Sequence, residues 1–110
     1  MREYIKTCIQ DSIDTKRRLY ENEELLDKIE AAATACITAY KAGGKVLACG
    51  NGGSASDAQH LVGELVGRYK IERFGIAAIA LNSNVAVMTA LGNDYSYDEI
   101  FSKQVRALGK

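Results

Sequence analysis

Val46-Leu47-Ala48-Cys49-Gly50-Asn51-Gly52-Gly53-Ser54-Ala55-Ser56-Asp57, continuing through Gln59-His60-Leu61-Val62-Gly63-Glu64, is the stretch whose reading decides the fold. Val46–Cys49 is a short apolar run closed by Gly50, the pattern of a buried parallel strand. Gly50, Gly52 and Gly53 let the backbone turn tightly and come close to a ligand. Ser54 is a favourable N-cap, and Asp57 three residues later resembles a capping box with a shortened acid. Ala58, Leu61, Val62, Leu65 and Val66 then recur at helical spacing. A strand that passes through a glycine turn into a helix aims the positive end of the helix at the loop. The expected site is a cradle for an anion or a polar substrate.

Two familiar phosphate loops are excluded. No Gly-Lys-Ser/Thr ending follows the turn, as a nucleotide triphosphatase loop requires. Gly50-Asn51-Gly52 supplies Gly-x-Gly, but Ala55 stands where a dinucleotide fingerprint needs its third glycine. The helix adds chemistry of its own. His60 and Glu64 are four residues apart, so both project from one face, a geometry suited to a shared divalent metal or to a carboxylate base beside an imidazole. A solvated ion pair accounts for the same spacing, and Arg68 is a second neighbour for Glu64 at the same interval. His60 is the only histidine, and Gly63 leaves the adjoining helix surface bare. Arg68 suits an anionic substrate, or a salt bridge to Glu64 or Asp57. Asn93-Asp94 after Gly92 read, on residue type, as a turn. Tyr69 and Tyr95 are expected to pack.

Outward from the turn, residues 3–20 form an amphipathic helix, with Tyr4, Ile5, Cys8, Ile9 and Ile13 on its apolar side. Asn22 is placed to cap a second helix that runs to about Ala42 and ends in left-handed geometry at Gly43-Gly44. The loop helix extends to roughly Arg68, and Lys70–Gly75 is a polar connection. Ile76–Leu81 reads as a second buried strand, Asn82-Ser83-Asn84 as a turn, and Val85–Ala90 as a short helix closed at Gly92. A last helix opens at Tyr97 and continues to Leu108. Helices alternating with apolar strands predict an α/β fold, the beginning of a doubly wound parallel sheet preceded by two helices. Residues 1–42 are the helical region and 43–110 the βαβα region of one domain. In such sheets ligands bind beyond the strand C-termini, where Asn51–Ser54 and Asn82-Ser83 lie. Two strands leave an unpaired hydrophobic edge.

The 110 residues carry 14 basic and 14 acidic side chains. With no net charge and no long block of one sign, binding of nucleic acid or of an anionic membrane by bulk electrostatics gains no support. Lys16-Arg17-Arg18 is a solvated helix face. Cys8, Cys36 and Cys49 lack metal-knuckle spacing and fall within helical or strand patterns, so buried thiols in a reducing, cytoplasmic setting are expected. Neither a secretory signal nor a transmembrane run is visible.

The run Lys41–Ser54, with Asp57-Ala58-Gln59-His60, Glu64-Leu65, Gly67-Arg68-Tyr69, Gly92-Asn93-Asp94-Tyr95 and Phe101-Ser102-Lys103-Gln104-Val105, resembles the phosphoheptose isomerase branch of the sugar isomerase (SIS) domain superfamily along the whole chain. The resemblance implies an aldose–ketose isomerase acting on sedoheptulose 7-phosphate. It makes Glu64 the catalytic base and a metal ligand and His60 a zinc ligand. Asn51, Gly52, Gly53, Ser54, Asn93 and Asp94 become substrate contacts. It further implies one Zn2+ per subunit and a homotetramer built on a helical bundle. Family subunits run to almost twice this length. The second phosphate loop, the later strands, and a helix carrying a glutamine and the partner histidine are therefore expected beyond Lys110, and the 110 residues by themselves are expected to be inactive. Two other functions occur among such domains: a non-catalytic adaptor for a replication initiator, and a sugar-phosphate sensor. His60 with Glu64 favours the enzyme.

Overall fold

The computed structural model describes residues 1–109. It divides into two compact units, Met1–Ile37 and the chain from Thr38 onward. Helix α1 spans Arg2–Tyr20 and helix α2 spans Glu23–Lys41. Between them the Asn22 side chain accepts the Leu25 N–H at 3.0 Å, the capping bond its position predicts. Neither helix buries a residue, so the apolar stripe of α1 stays open, with Ile5 50 % and Ile9 55 % exposed.

α2 ends by a full Schellman closure. Gly43 takes φ +80°, its N–H reaches the Tyr40 carbonyl at 2.9 Å, and the Gly44 N–H reaches Ala39 at 2.8 Å. Orphan carbonyls of the last turn are thereby satisfied, and the left-handed residue between them is the one type that takes this conformation without a Cβ penalty. The chain then enters strand β1, Val46–Ala48, followed by helix α3, Gly53–Val66, and strand β2, Ala78–Ala80. The strands are parallel, with Val46 opposite Ala78 and Ala48 opposite Ala80, and α3 packs on both. This is the βαβ unit expected from the alternation of apolar strand and helix.

β2 is shorter than the apolar run Ile76–Leu81. The Ile76 N–H is drawn to the Leu65 carbonyl at the end of α3, 2.9 Å away, which takes it out of the ladder. Bonds from Val46 N–H to Ala77 and from Leu81 N–H to Ala48 extend the pairing by one link at each end. Each strand has one partner among the described residues, and Ile79 of β2 lines an apolar groove of about 390 Å³ together with Val87, Ala107 and Leu108.

Helix α4 spans Val85–Asp94, a 3₁₀ turn covers Tyr97–Glu99, and helix α5 spans Ser102–Leu108. Asn84 is more than a turn residue, because its side chain accepts the Val87 N–H at 3.1 Å and caps α4. α4 does not close at Gly92. It continues through it, and Asn93-Asp94 form its last turn rather than a turn beyond it. A glycine in a helix costs about 1 kcal/mol against alanine. α4 packs against the 3₁₀ turn, and a Cβ at Gly92 would meet Ile100 Cγ2 at 3.9 Å, an ordinary contact that leaves room for alanine. The expected last helix is split at Ile100-Phe101. The core is small: Leu81 and Ile100 are fully buried, with Ala58, Ala80 and Gln104 around them. The Gln104 amide donates to the Leu81 carbonyl at 2.9 Å and to Ile100 at 2.8 Å, tying α5 to the end of β2.

Several expected burials are corrected. All three cysteines are exposed, because Cys8 and Cys36 belong to helices without buried residues and Cys49 lies just past the end of β1. Tyr69 and Tyr95 are also exposed; the Tyr95 ring carries Lys103 Nζ 3.5 Å from its centroid. No helix among the described residues is long and apolar enough to cross a membrane.

Candidate functional site

β1 delivers the chain to Gly50, and the turn Asn51-Gly52 leads into α3 at the C-terminal end of the sheet. Gly52 has φ +56° and ψ −124°, a conformation that glycine supplies as in the first central position of a type II′ turn. The Asn51 carbonyl accepts the Ser54 N–H at 3.0 Å, and the Gly52 carbonyl accepts Ala55 and Ser56 at 3.1 and 3.4 Å. The helix therefore begins two residues earlier than the Ser54 cap predicts. Gly52 is the N-cap, no side chain caps the helix, and Ser54 lies inside the first turn. The capping box with Asp57 does not form. The turn consumes the N–H groups of Ser54, Ala55 and Ser56, leaving those of Gly52 and Gly53 outside this bonding.

The segment just after β2 braces the start of α3. Asn82 Nδ2 donates to the Ala55 carbonyl at 3.1 Å, while Asn82 Oδ1 is buried without a hydrogen-bond partner among the described residues. A buried acceptor left open at the edge of a cradle is an energetic cost that a ligand donor would remove.

Two turns along α3, His60 Nε2 and Glu64 Oε1 stand 3.2 Å apart, with the histidine side chain 77 % exposed and the carboxylate 37 %. Glu64 does not bond Arg68. The Arg68 guanidinium instead pairs with Glu72 at 3.3 Å, which leaves the carboxylate to the imidazole. The main chain at Glu64 is held by Arg73, which no local sequence pattern marks out. Its guanidinium donates to the carbonyls of Glu64 at 2.7 Å, Leu65 at 2.8 Å, Gly67 at 3.2 Å and Phe74 at 3.0 Å. A cation at a helix C-terminus satisfies orphan carbonyls and opposes the negative end of the dipole.

Two donors one helical turn apart fit as part of a metal site. No group of three or more His, Cys, Asp or Glu is assembled among the described residues, so the pair does not make the roughly four-ligand set of a closed zinc site.

Asn93 and Asp94 lie at the end of α4, where Asn93 Nδ2 donates to Asp94 Oδ1 at 3.1 Å. Neither is hydrogen-bonded to the glycine turn. The link runs through Tyr97, whose hydroxyl donates to Asn51 Oδ1 at 2.6 Å. No local pattern in the sequence announces a contact across 46 positions.

A glycine turn at the C-terminal edge of a parallel βαβ unit, with an imidazole and a carboxylate on its helix, is the arrangement with which α/β domains can receive a polar ligand at a helix start. The chain belongs to the SIS-domain family, whose model matches residues 9–110. It is similar to the phosphoheptose isomerase of Sulfurimonas denitrificans, 46 % identical over 100 % of this chain and 56 % of that protein. It is also similar to that of Shewanella loihica, 53 % identical over 100 % of this chain and 55 % of that protein. Among solved structures, a phosphoheptose isomerase from Francisella tularensis superposes with a TM-score of 0.89 at 41 % identity, covering 98 % of this chain and 56 % of that one. The Neisseria gonorrhoeae phosphoheptose isomerase superposes at 0.81 with 40 % identity, over 99 % of this chain and 55 % of that one. The chain thus spans about half the length of the relatives it matches.

Proposed function

We propose that this chain carries the base-bearing half of a sugar-phosphate isomerase that interconverts sedoheptulose 7-phosphate and D-glycero-D-manno-heptose 7-phosphate. The observation that carries the reading is the His60–Glu64 pair, 3.2 Å apart, on the helix that starts at the glycine turn, in a chain whose relatives bear the name phosphoheptose isomerase. Asn51, Gly52, Gly53 and Ser54 bind the substrate at the turn, and Asn93 and Asp94 bind it from the end of α4.

In the ketose-to-aldose direction the Glu64 carboxylate removes a proton from C1. The C–H electron pair becomes the C1–C2 double bond as the C2 oxygen takes up a proton, giving the 1,2-enediol. The enediol then loses the proton of its O1 hydroxyl while C1=O forms and C2 is protonated, so the carbonyl and hydroxyl have exchanged places with no net gain or loss of atoms. Carboxylates suit this base role because the transfer is between neighbouring carbons and one group returns what it removed. His60 and Glu64 would supply two of the ligands of a Zn2+ ion, with the further donors coming from residues other than those described, and the chemistry the ion would supply there is Lewis-acid polarisation of substrate oxygens.

The open apolar faces of α1 and α2 support a homo-oligomer, a tetramer on the family pattern, because symmetric burial is the ordinary solution for such surfaces. Three free thiols accord with a cytoplasmic setting.

The test is Glu64→Gln in the whole enzyme, which keeps the shape and removes the basic oxygen. Turnover of sedoheptulose 7-phosphate falls about 10²- to 10⁴-fold while calorimetric affinity persists. Near-normal turnover would remove Glu64 as the base. A wild-type protein that neither binds nor isomerises the heptulose phosphate would remove the reading altogether.

A further inference from the structure

We infer that Tyr97 is a positioning residue for the substrate site, its phenol setting the orientation of the Asn51 side-chain amide and coupling the glycine turn to the end of α4. The inference rests on the reading of Asn51 as a substrate contact. The hydroxyl of Tyr97 donates to Asn51 Oδ1 at 2.6 Å, at the short end of the range for O–H···O bonds. Asn51 is held twice, since its main-chain carbonyl also accepts the Ser54 N–H at 3.0 Å. A primary amide has one acceptor end and one donor end and turns readily between them. A hydroxyl donor placed on the oxygen selects one of the two orientations, in which both Nδ2 hydrogens remain for a sugar hydroxyl or phosphate oxygen.

The anchor for the phenol is firm although the ring itself is 63 % exposed. Tyr97 opens the 3₁₀ turn Tyr97–Glu99, which packs against α4 and α5. Its carbonyl accepts the N–H of Ile100, and Ile100 is 2 % exposed in the core. Asp94 ends α4 only three residues before Tyr97, and the Tyr95 N–H still bonds the Leu91 carbonyl at 3.1 Å. The phenol therefore spans from the segment that carries Asn93 and Asp94 to the turn that carries Asn51–Ser54, joining two groups of contacts that otherwise share no hydrogen bond. An exposed side-chain bond contributes little to folding against competing water. Its consequence lies in which face of the amide meets the ligand, a matter of preorganisation.

Tyr97→Phe keeps the ring and deletes the hydroxyl. The whole enzyme is compared as wild type, Tyr97→Phe, Asn51→Ala and the double variant, with sedoheptulose 7-phosphate as titrant and substrate. In wild type and Tyr97→Phe the Asn51 side-chain amide is followed by ¹H–¹⁵N NMR, its signal being identified by its loss in Asn51→Ala. Tyr97→Phe is expected to raise Kd and KM about 3- to 10-fold, the worth of one oriented hydrogen bond, with kcat within about twofold and unfolding unchanged. It is also expected to move the Asn51 amide pair. In the Asn51→Ala background the same substitution changes nothing, the non-additivity of a shared interaction. An equal loss of affinity in both backgrounds overturns the inference, because the phenol then acts elsewhere. An unmoved amide in Tyr97→Phe, with affinity still lost in Asn51→Ala, overturns the orienting bond while leaving Asn51 as a contact. A moved amide with wild-type affinity in Asn51→Ala overturns Asn51 as a contact and the positioning role with it.

Discussion

Gly50 and Gly53 stand three residues apart in the same turn, and alanine is expected to act on them in opposite directions. A Cβ built on Gly50 overlaps the Ser54 carbonyl oxygen and lies 2.5 Å from its carbonyl carbon and 2.7 Å from its Cβ. Carbon atoms in favourable contact sit about 3.5–4.0 Å apart, so roughly 1 Å of movement is required. The obstacle is main chain in the first turn of α3, and no rotamer change relieves it. Overpacking of this kind costs about 1–3 kcal/mol. At about 4–8 °C per kcal/mol for a domain of this size, the loss in Tm is easily resolved. At Gly53 a Cβ meets nothing within 4 Å, and the residue is already in the helix. Alanine there should stabilise by about 0.4–1 kcal/mol, since it restricts the unfolded chain without straining the folded one. Urea unfolding followed by far-UV circular dichroism measures both. Gly52→Ala, forced into φ +56°, should cost on the order of 1–3 kcal/mol through backbone strain rather than contact. A Gly50→Ala variant as stable as wild type would refute the packing of the turn against Ser54. So would equal destabilisation at Gly50 and Gly53.

Arg73→Met removes four hydrogen bonds to main-chain carbonyls, given by two guanidinium nitrogens, and should cost about 1.5–3 kcal/mol. Amide hydrogen exchange should rise from Glu64 to Gly75 and stay unchanged in α4; unaltered protection around Glu64 would show that the guanidinium does not hold this helix end. The exposed apolar stripes of α1 and α2 predict self-association, so light scattering at micromolar concentration should report an oligomer. An Ile5→Asp, Ile9→Asp variant should shift it toward monomer. A well-folded wild-type monomer would count decisively against assembly through these helices.

What the sequence determined by itself is whatever depends on neighbours within about one helical turn. The two leading helices, the Asn22 cap, the left-handed end at Gly43, the order of strand and helix, and the facing of His60 and Glu64 all follow from interactions between residues up to four positions apart. Periodicity and capping chemistry report these directly. The glycine turn was legible as a turn, but the start of its helix was not. Ser54 is the better capping residue by type, yet the Gly52 backbone already closes the first turn. The run of α4 through Gly92 was likewise hidden, because a glycine marks a helix end by type while the 3₁₀ turn that packs against α4 lies beyond the reach of a local pattern. Only the tertiary structure decided that Arg73 closes α3, that Asn82 braces the start of α3 across 27 positions, and that Tyr97 reaches Asn51 across 46. Each such contact depends on where the chain returns in space, and a residue type carries no mark of the distant partner it will meet. Exposure of Cys8 and Cys36 has the same origin: an apolar stripe states that a helix face is suited to burial, and the packing of the chain decides whether anything covers it.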